Sequence, residues 1–322
     1  MNGAPYGRWL PWNASEHGGQ IDSLIDVIHW FMLILFVGWG IFFVYCLVRF
    51  RQKPGRNAAY ELPKGAASKY AEVGVAIFEG FLLFGLSVPL WSRYKTAPPP
   101  PEKRMDVTAI GEQFAWNFHY PGKDGKYGRL DPTLISSSNL LGLDKDGDPA
   151  AEDDIVSPEL HVPLNQDVYV RIRSKDVIHS FAIPAMRVKQ DAVPGMEVPV
   201  WFKPTRSSDE FREAMAREYS LDQPTPLFNK KKAGLILMED YPASGEPVAH
   251  KGDALVNATV EKLLAAGIKT VRAAPRATME VVCAQLCGMN HYSMKAPLFV
   301  DTPEQFEAWK TAQSAEIEID LE

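Results

Sequence analysis

The chain has 322 residues, of which 46% are hydrophobic and 23% are charged. That balance excludes an intrinsically disordered protein, and the length exceeds that of one small domain. The formal net charge of −6 argues against nucleic acid as the main partner. The chain has 3 cysteines, two of them in one cluster, which excludes a disulfide-stapled scaffold.

The N-terminal part of the chain predicts a membrane hairpin. Residues 1–26 are predicted to form an extracytoplasmic segment, and they lack the basic start and small-residue cleavage site of a signal peptide. Two apolar runs, at about 27–48 and 71–91, are each long enough to cross a hydrocarbon core of roughly 30 Å. We therefore predict two transmembrane helices within 27–95. Basic residues are concentrated in the loop 49–70, which places that loop in the cytoplasm and both flanking segments outside.

The sequence after the hairpin predicts a β-rich domain. Residues 105–120 alternate and carry several aromatic side chains, which is typical of a half-buried strand. Further strands are predicted at 167–173, 197–202 and 296–300. Thr302 and Gln305 have the spacing of an N-terminal capping box, so a short final helix is expected after the last strand.

The residues most suited to chemistry lie together near the C-terminus, in the segment 283–294. This segment contains two thiols, an imidazole and a thioether, and soft donors of this kind favour copper. Cys287, His291 and Met294 would supply most ligands of a single blue-type copper, for which a second histidine must come from elsewhere. Cys283 is then left over, which suggests a second metal ion with both sulfurs bridging a copper pair.

Three other interpretations of the two thiols stay open at this point. They could form a disulfide outside the cytoplasm, they could hold zinc, although structural zinc sites rarely include methionine, or they could be buried and inert. His179 is the best-placed second histidine, because it follows the strand predicted at 167–173 and precedes a loop. For His179 taken alone, a hydrogen-bonded loop histidine is the alternative.

With these residues in view, the chain resembles subunit II of haem-copper cytochrome c oxidases. The resemblance rests on Cys-x-x-x-Cys-Gly-x-x-His-x-x-Met at 283–294 and on the stretches 176–184 and 189–195 before it. It covers most of the chain, apart from one insertion and the extreme ends. The resemblance implies a membrane α-helical hairpin plus an all-β cupredoxin-like sandwich with an inserted α/β segment. The sandwich would be formed by 96–204 and 278–322, and the insertion by 205–277.

The resemblance also implies a binuclear copper centre, CuA. Gln285 would contribute its main-chain carbonyl, and five residues would ligate through their side chains, namely His179, Cys283, Cys287, His291 and Met294. A subunit of this family accepts electrons from a cytochrome c-type donor and passes them to haem in subunit I, where oxygen is reduced to water with proton pumping. The chain would then be one subunit of a terminal oxidase in a bacterial-type inner membrane. The oxygen-reducing site would lie in a partner subunit, because the hairpin lacks a set of histidines for haem.

The expected partners are subunit I, subunit III, and cytochrome c or another periplasmic or membrane-bound electron donor. Two positions that matter for these partners depart from the family pattern. Phe114 stands where the family has a tryptophan that receives electrons from cytochrome c, and Ala115 and Trp116 follow it. Electron entry is expected at Phe114 and Trp116, although core packing alone would explain Trp116. Gln285 stands where a glutamate usually binds magnesium, and an amide is a poorer ligand for a hard cation, so we expect weak or absent magnesium binding.

Glu79 lies several residues inside the second apolar run. A carboxylate there costs about 2.5–3.5 kcal/mol on insertion scales and usually faces a partner or water. The resemblance implies that it is a proton-entry group at a subunit contact, and Glu72 is a rival for that role. A structural hydrogen bond between helices is the alternative explanation.

The insertion 205–277 contains no residues of a catalytic type. Helices are predicted at 211–219 and 254–266, a strand at 269–272, and a basic knot at 230–232. The insertion could be a docking element near the copper, or it could be a solvent-exposed addition without a binding role. The second interpretation is the default, because charge runs are usually just exposed.

Three rival classes share part of this pattern. A quinol oxidase subunit II has the same fold but lacks the cysteines and histidines that are intact here. A nitrous oxide reductase has a similar copper domain but would need a large propeller before it, where this chain has a membrane hairpin. A membrane-tethered copper-binding or sensing module would need neither a second copper nor a large partner.

Overall fold

The computed structural model describes residues 10–55, 57, 65–221, 234–242 and 245–320. The chain divides into two compact units, one formed by 17–98 and the other by 1–16 together with 99–322. The basic knot predicted at 230–232 lies outside the described residues, as do parts of the segment 1–26 and of the loop 49–70.

The unit 17–98 consists of two long helices. The first is α1 (Gly18–Phe50). The second comprises α2 (Ala67–Gly80), a π-helical stretch (Phe81–Ser87) and α3 (Val88–Lys95), which follow one another without a break. Both helices are long and apolar enough to cross a membrane, and almost none of their apolar surface is buried within the chain. A helix satisfies its own backbone hydrogen bonds, so these segments are suited to a lipid environment. They contain the runs predicted at 27–48 and 71–91.

The larger unit is built on two five-stranded sheets. Its strands in chain order are β1 (Arg104–Glu112), β2 (Ala115–Tyr120), β3 (Ile155–Ser157), β4 (Leu160–Pro163), β5 (Asp167–Ser174), β6 (His179–Ile183), β7 (Val188–Ala192), β8 (Val198–Phe202), β9 (Arg217–Ser220), β10 (Leu235–Leu237), β11 (Thr270–Pro275), β12 (Met279–Cys283) and β13 (Lys295–Asp301). One sheet has the order β3-β2-β1-β5-β8 and the other β4-β13-β12-β6-β7. The predicted fold class is confirmed.

Alternating side chains of both sheets form a shared core. In β5, for example, Val168, Val170 and Ile172 are fully buried, while the residues between them are partly exposed. Phe181 of β6 and Val281 of β12 are fully buried in the same cluster. This pattern is that of two sheets packed face to face, with inward-facing residues alternating with outward-facing ones.

The strand predicted at 105–120 is in fact two strands. β1 and β2 pair antiparallel, with Gly111 opposite Trp116 and Ala109 opposite Phe118. The single-strand prediction was wrong because the tight turn between them contains Gln113 and Phe114, rather than the glycine, asparagine or proline that usually mark a turn. The hairpin has a functional consequence, because it brings these turn residues to one end of the sandwich.

The segment between β8 and β12 has its own small fold. It contains α4 (Ser208–Met215), a three-stranded sheet of order β10-β11-β9, and α5 (Asn257–Ala265). A separate hydrophobic cluster lies under this sheet and includes Leu237, Leu255, Leu263 and Val271. The helix predicted at 211–219 was wrong in its second half, because Arg217–Ser220 pairs with β11 instead. The helix predicted at 254–266 and the strand predicted at 269–272 overlap α5 and β11.

Residues that precede the first membrane helix pack on the sandwich. The Ala14 amide donates to the Ala185 carbonyl (2.8 Å), and the Thr205 amide donates to the Ala14 carbonyl (2.8 Å). The Ser15 hydroxyl donates to the Met186 carbonyl (2.8 Å). This attachment was not predicted, because the segment is too short and irregular to show a periodic pattern.

The final helix α6 (Pro303–Asp320) starts at the predicted capping box. The Thr302 amide donates to the Gln305 side-chain oxygen (2.9 Å), and the Gln305 amide donates to the Thr302 hydroxyl (3.3 Å). Further along the helix, Trp309 stacks on the ring of His161, with ring centroids 4.3 Å apart. The helix is therefore fixed to the edge of the second sheet.

His161 links this helix to three other parts of the unit. Its Nδ1 lies 2.7 Å from Asp301, and its Nε2 lies 3.6 Å from Glu159, which also pairs with Arg276 of the inserted segment. Burial on its own lowers the pKa of His161, but the bonds to Asp301 and Glu159 outweigh it, so the pKa is raised. The protonated ring therefore stabilises the fold. That contribution is complete below the ordinary histidine pKa of about 6.5 and is lost as pH rises through the higher folded-state value.

We predict that replacing His161 with Phe abolishes part of the pH dependence of stability. The aromatic stack is retained, but the charge-assisted hydrogen bond to Asp301 and the ion pair with Glu159 are lost, which costs about 1.5–3 kcal/mol at pH near 6. Thermal unfolding of the detergent-solubilised chain, followed by tryptophan fluorescence between about pH 6 and pH 8, measures how stability depends on pH. His250→Phe is the matched control, because His250 is exposed. Equal pH slopes for wild type and His161→Phe would contradict the prediction.

Candidate metal centre

Two neighbouring strands deliver the first residues of the candidate site. His179 begins β6, so the loop predicted directly after it was wrong and that segment is a strand. Cys283 ends β12, and β6 and β12 pair antiparallel, with Cys283 opposite Phe181. The chain then leaves β12 in a loop that returns to β13, and Cys287 lies in this loop. The donor atoms of His179, Cys283 and Cys287 all lie within 4.8 Å of one another.

The two thiols lie side by side without being bonded. Their Sγ atoms are 3.8 Å apart, whereas a disulfide requires about 2.05 Å. Both side chains are buried, with exposed fractions of 9% for Cys283 and 5% for Cys287. Burial, together with the neighbouring Cys283 thiol, raises the pKa of Cys287 to about 11. The Cys287 thiol is therefore protonated at neutral pH, and a metal ion that bound its sulfur would displace that proton.

The other predicted residues converge on the same two sulfurs. His179 Nδ1 lies 3.9 Å from Cys283 Sγ, and the main-chain oxygen of Gln285 lies 3.2 Å from the same sulfur. His291 Nδ1 lies 3.5 Å from Cys287 Sγ, and Met294 Sδ lies 3.7 Å from it. The structure thus brings together all six residues that the sequence singled out here.

This donor set fits soft metal ions. It offers two thiols, two imidazole nitrogens and a thioether, and the ligand preferences of first-row metals assign such a set to copper. A structural zinc site uses four cysteine or histidine ligands and leaves no role for Met294. Inert cysteines would not need two imidazole nitrogens directed at them. The residues present therefore fit a copper centre.

Asp176 holds the imidazole of His179. His179 is fully buried, and its Nε2 donates to the Asp176 carboxylate at 2.8 Å. This bond leaves Nδ1 as the free nitrogen on the side of the thiols, which is how a carboxylate commonly orients a metal-binding histidine. Burial alone would raise the pKa of Asp176, but hydrogen bonds from His179 and from the amides of Gln113 and Val177 lower it. Asp176 is therefore ionised at neutral pH.

The β1–β2 turn adds two hydrogen bonds to the network around His179 and Asp176. The Gln113 amide donates to Asp176 at 2.7 Å, and its side-chain nitrogen donates to the Cys287 carbonyl at 2.5 Å. One turn thus fixes both the carboxylate behind His179 and the backbone of the loop. No role for Asp176 or Gln113 was predicted from the sequence. The available signal was the placement of Asp176 three residues before His179 on a strand-connecting loop.

The residues predicted for electron entry have different surroundings. Trp116 is only 1% exposed, and its ring packs edge-on against His179, with centroids 6.0 Å apart. Phe114 is half-buried and lies in the turn, against the loop at Gly288. Trp116 is therefore an internal neighbour of the site, while Phe114 is nearer the surface.

Glu79 belongs to the other unit. It is the second-last residue of α2, two residues before the start of the π-helical stretch, and its side chain is exposed in the single chain. Its rival Glu72 lies on the same helix and is also exposed.

The fold and the site together define a class. The chain combines two helices suited to a membrane with a cupredoxin-like sandwich that carries a soft-ligand metal loop. The family model for the cytochrome c oxidase subunit II periplasmic domain matches residues 105–212. Over the matched residues the chain is similar to subunit II of cytochrome c oxidases.

Individual relatives differ in how much of the chain they match. The alternative cytochrome c oxidase subunit 2 of Bradyrhizobium diazoefficiens is 29% identical over 95% of this chain and 83% of its own length. The cytochrome c oxidase subunit 2 of Cereibacter sphaeroides is 29% identical over 56% of this chain and 63% of its own length. Among solved structures, the periplasmic domain of subunit II of cytochrome oxidase of Bradyrhizobium japonicum matches 67% of this chain and 98% of that domain, with 20% identity and a TM-score of 0.34.

We predict that Gly288→Ala disturbs the loop more than an ordinary glycine substitution does. Gly288 has φ +142°, and an added Cβ would meet Gln113 Nε2 at 2.7 Å and Phe114 at 2.9 Å. The expected loss is about 1–3 kcal/mol from backbone strain and displacement of the turn. Thermal unfolding of the full chain measures this loss. Gly125→Ala is the control, because Gly125 also has a positive φ but open space around it. Equal losses for both variants would show that the contact with the turn does not matter.

Proposed function

We propose that this chain is the electron-transfer subunit of a respiratory terminal oxidase, with a binuclear CuA centre. The observation that carries the proposal is the convergence of two thiols, two imidazole nitrogens and a thioether around unbonded sulfurs 3.8 Å apart. Gln285 would add its main-chain carbonyl, and the side-chain ligands would be His179, Cys283, Cys287, His291 and Met294.

When bound, a copper pair bridged by two thiolates supplies a one-electron carrier whose bonds change little between redox states. The chain's own contribution is to hold the ligands still and to exclude water. His179 is fixed by Asp176 and by strand β6, and Cys283 by strand β12. Met294 is buried, at 2% exposed, which closes the inner side of the site. An apolar, rigid surrounding of this kind also influences the redox potential of a metal.

Electrons would enter from the side of the loop and the β1–β2 turn. Phe114 is the surface-near aromatic residue there, and Trp116 lies behind it against His179. We propose Phe114 as the contact region for the donor and Trp116 as a packing residue that holds His179. The donor would be cytochrome c or another periplasmic or membrane-bound carrier, in agreement with the names of the relatives.

Oxygen reduction and proton pumping would take place in the partner subunits. Subunit I would carry haem and receive the electrons, and subunit III would complete the complex. Gln285 offers an amide where the family uses a carboxylate, so magnesium binding from this residue would be weak or absent. The inserted segment 205–277 would be a solvated decoration or a docking appendage for a donor.

Both ends of the chain would lie outside the cytoplasm. The attachment of Ala14 and Ser15 to the sandwich supports this, because residues before the first span and after the second then share one side. A chain that crosses the membrane twice also has the segments before the first span and after the second span on the same side. The basic residues Arg49, Arg51 and Lys53 at the end of α1 and just beyond it mark the cytoplasmic side.

We predict that the purified chain binds two copper ions and that Cys283→Ser or Cys287→Ser loses the paired centre. A shared unpaired electron gives an electron paramagnetic resonance spectrum with hyperfine splitting from two equivalent copper nuclei. Metal analysis and this spectrum are the measurements. Cys46→Ser is the control, since Cys46 lies in α1 and not among these donors. Two copper ions retained in Cys283→Ser would refute the bridged site, and one or none in wild type would favour a storage or sensing module.

We also predict that Glu79→Gln slows turnover and proton uptake of the assembled oxidase severalfold, because the amide cannot exchange a proton. Oxygen consumption and proton uptake of the purified complex are the measurements. Glu72→Gln is the matched control on the same helix. Unchanged activity in Glu79→Gln would remove Glu79 from the proposed proton entry, and a loss confined to Glu72→Gln would transfer the role to that residue.

A further inference from the structure

The outward face of the first sheet carries a row of polar side chains from three neighbouring strands. Thr108 of β1 lies opposite His119 of β2 on one side and opposite Arg171 of β5 on the other. Val107 and Ala109, which flank Thr108, are fully buried in the shared core. Because side chains alternate along a strand, the row points away from the core. Thr108 and His119 are nevertheless only 5% and 2% exposed, so another part of the chain covers them.

The cover is the loop that connects β2 to β3. Asp154, at the end of this loop, is buried and accepts hydrogen bonds from the amides of Gly122 (3.0 Å) and Gly128 (2.7 Å). It also accepts a hydrogen bond from His119 Nε2 at 2.6 Å. The ring of Tyr127 packs edge-on against the ring of His119, with centroids 5.0 Å apart. The loop is therefore fixed to the sheet by buried contacts.

A cavity of about 430 Å³ lies between the sheet and this loop. That volume is within the range of about 300–1,000 Å³ that small-molecule sites occupy, and it is much larger than a single ion needs. Besides the polar row and Tyr127, the cavity is lined by Leu130, Arg173 and Glu197. None of the lining residues is a candidate metal ligand.

The cavity has an excess of positive charge. Arg173 donates to Glu197 at 2.8 Å, and Arg171 lies 3.7 Å from the same carboxylate. Arg171 also contacts Asp106 at 2.8 Å, but Asp106 is shared with Arg104 at 3.0 Å. Three guanidinium groups therefore share two carboxylates, and one more anionic group would balance them. Arginine suits this role because its planar guanidinium donates two parallel hydrogen bonds to a carboxylate.

Tyr127 offers a further donor at the wall of the cavity. Within the described residues its hydroxyl oxygen is buried without a hydrogen-bond partner of good geometry, although Thr108 is close enough to influence its pKa. Burial raises the pKa of Tyr127 above the ordinary tyrosine value, so the hydroxyl keeps its proton. The Arg171 guanidinium lies over the same ring, 5.1 Å from its centroid. A buried polar group without a partner is rare in folded proteins, and a ligand oxygen would satisfy this one.

We propose that this cavity binds a small organic anion. Its carboxylate would be held by Arg171, Arg173 and the Tyr127 hydroxyl, and its apolar body would lie against Leu130. The Glu197 side chain is 39% exposed, so its carboxylate can turn to solvent and leave its place to the ligand. Binding makes and breaks no covalent bond and moves no electron. The site is therefore independent of the proposed electron-transfer function.

The test measures binding of benzoate to the detergent-solubilised full-length chain by isothermal titration calorimetry. Benzamide has the same shape without the charge, and acetate has the carboxylate without the ring. We expect benzoate to bind with a Kd below about 1 mM, which is within reach of a ligand of this size. Benzamide and acetate should each bind about tenfold more weakly or worse, because each lacks one of the two kinds of contact.

Variants of the cavity should change the Kd of benzoate in opposite directions. Tyr127→Phe removes only the hydroxyl and raises the Kd by about threefold or more. Arg171→Met raises it by about tenfold or more, because the guanidinium is lost. Glu197→Gln lowers the Kd by about threefold or more, because the carboxylate that competes for both arginines is gone. Arg217→Met is the matched control, since it removes the same charge from an exposed position on β9 and leaves the Kd unchanged.

Five results would overturn the proposal. Wild type might not bind benzoate, or it might bind benzamide or acetate as tightly as benzoate. Glu197→Gln might bind benzoate more weakly than wild type, or Arg217→Met might lose as much affinity as Arg171→Met. If Arg171→Met does not fold, Tyr127→Phe and Glu197→Gln decide. Cys283→Ser should bind benzoate as wild type does, so failure of the copper centre would leave this result unaffected.

Discussion

The pairing of β6 with β12 is the constraint on which the site depends. It places His179 and Cys283 on the same inward face of one sheet, next to the fully buried Phe181 and Val281. A shift of one residue would turn every side chain of a strand to the opposite face. The apolar residues that fix this register therefore also fix the distance between imidazole and thiol. A site assembled this way is as rigid as the sandwich that carries it.

The remaining donors depend on hydrogen bonds between loops. Gln113 joins the β1–β2 turn to the Cys287 carbonyl and to Asp176, and Asp176 orients His179. These contacts link three segments that are far apart in the sequence. The bond from Gln113 to the Cys287 carbonyl and the bond from His179 to Asp176 are short and partly buried, so loss of one partner leaves the other unsatisfied. The same turn presents Phe114 near the surface, which connects the rigid interior with the side from which a partner would approach.

Much of this arrangement was predictable from the sequence. Apolar length revealed the two helices, and alternation revealed β5 and the region of β1 and β2. Strands were also predicted at β8, β11 and β13, and the spacing of Cys283, Cys287, His291 and Met294 revealed the loop. The β1–β2 hairpin was missed because Gln113 and Phe114 are unusual turn residues. The attachment of Ala14 and the pairing of β9 with β11 were missed because both depend on long-range contacts. Short irregular segments carry no sequence pattern from which such contacts can be predicted. The role of Asp176 became visible only once its distance to His179 was known.

Copper K-edge X-ray absorption on the copper-loaded chain is the most direct test of the central claim. A thiolate-bridged copper pair predicts sulfur scattering at both metal ions together with a short copper–copper distance. Both features should be lost in Cys283→Ser and Cys287→Ser but not in Cys46→Ser. A spectrum with only nitrogen and oxygen neighbours, or with sulfur but no copper–copper scattering, would contradict a thiolate-bridged pair. In that case the loop between β12 and β13 would not hold an electron-transfer centre of the proposed kind.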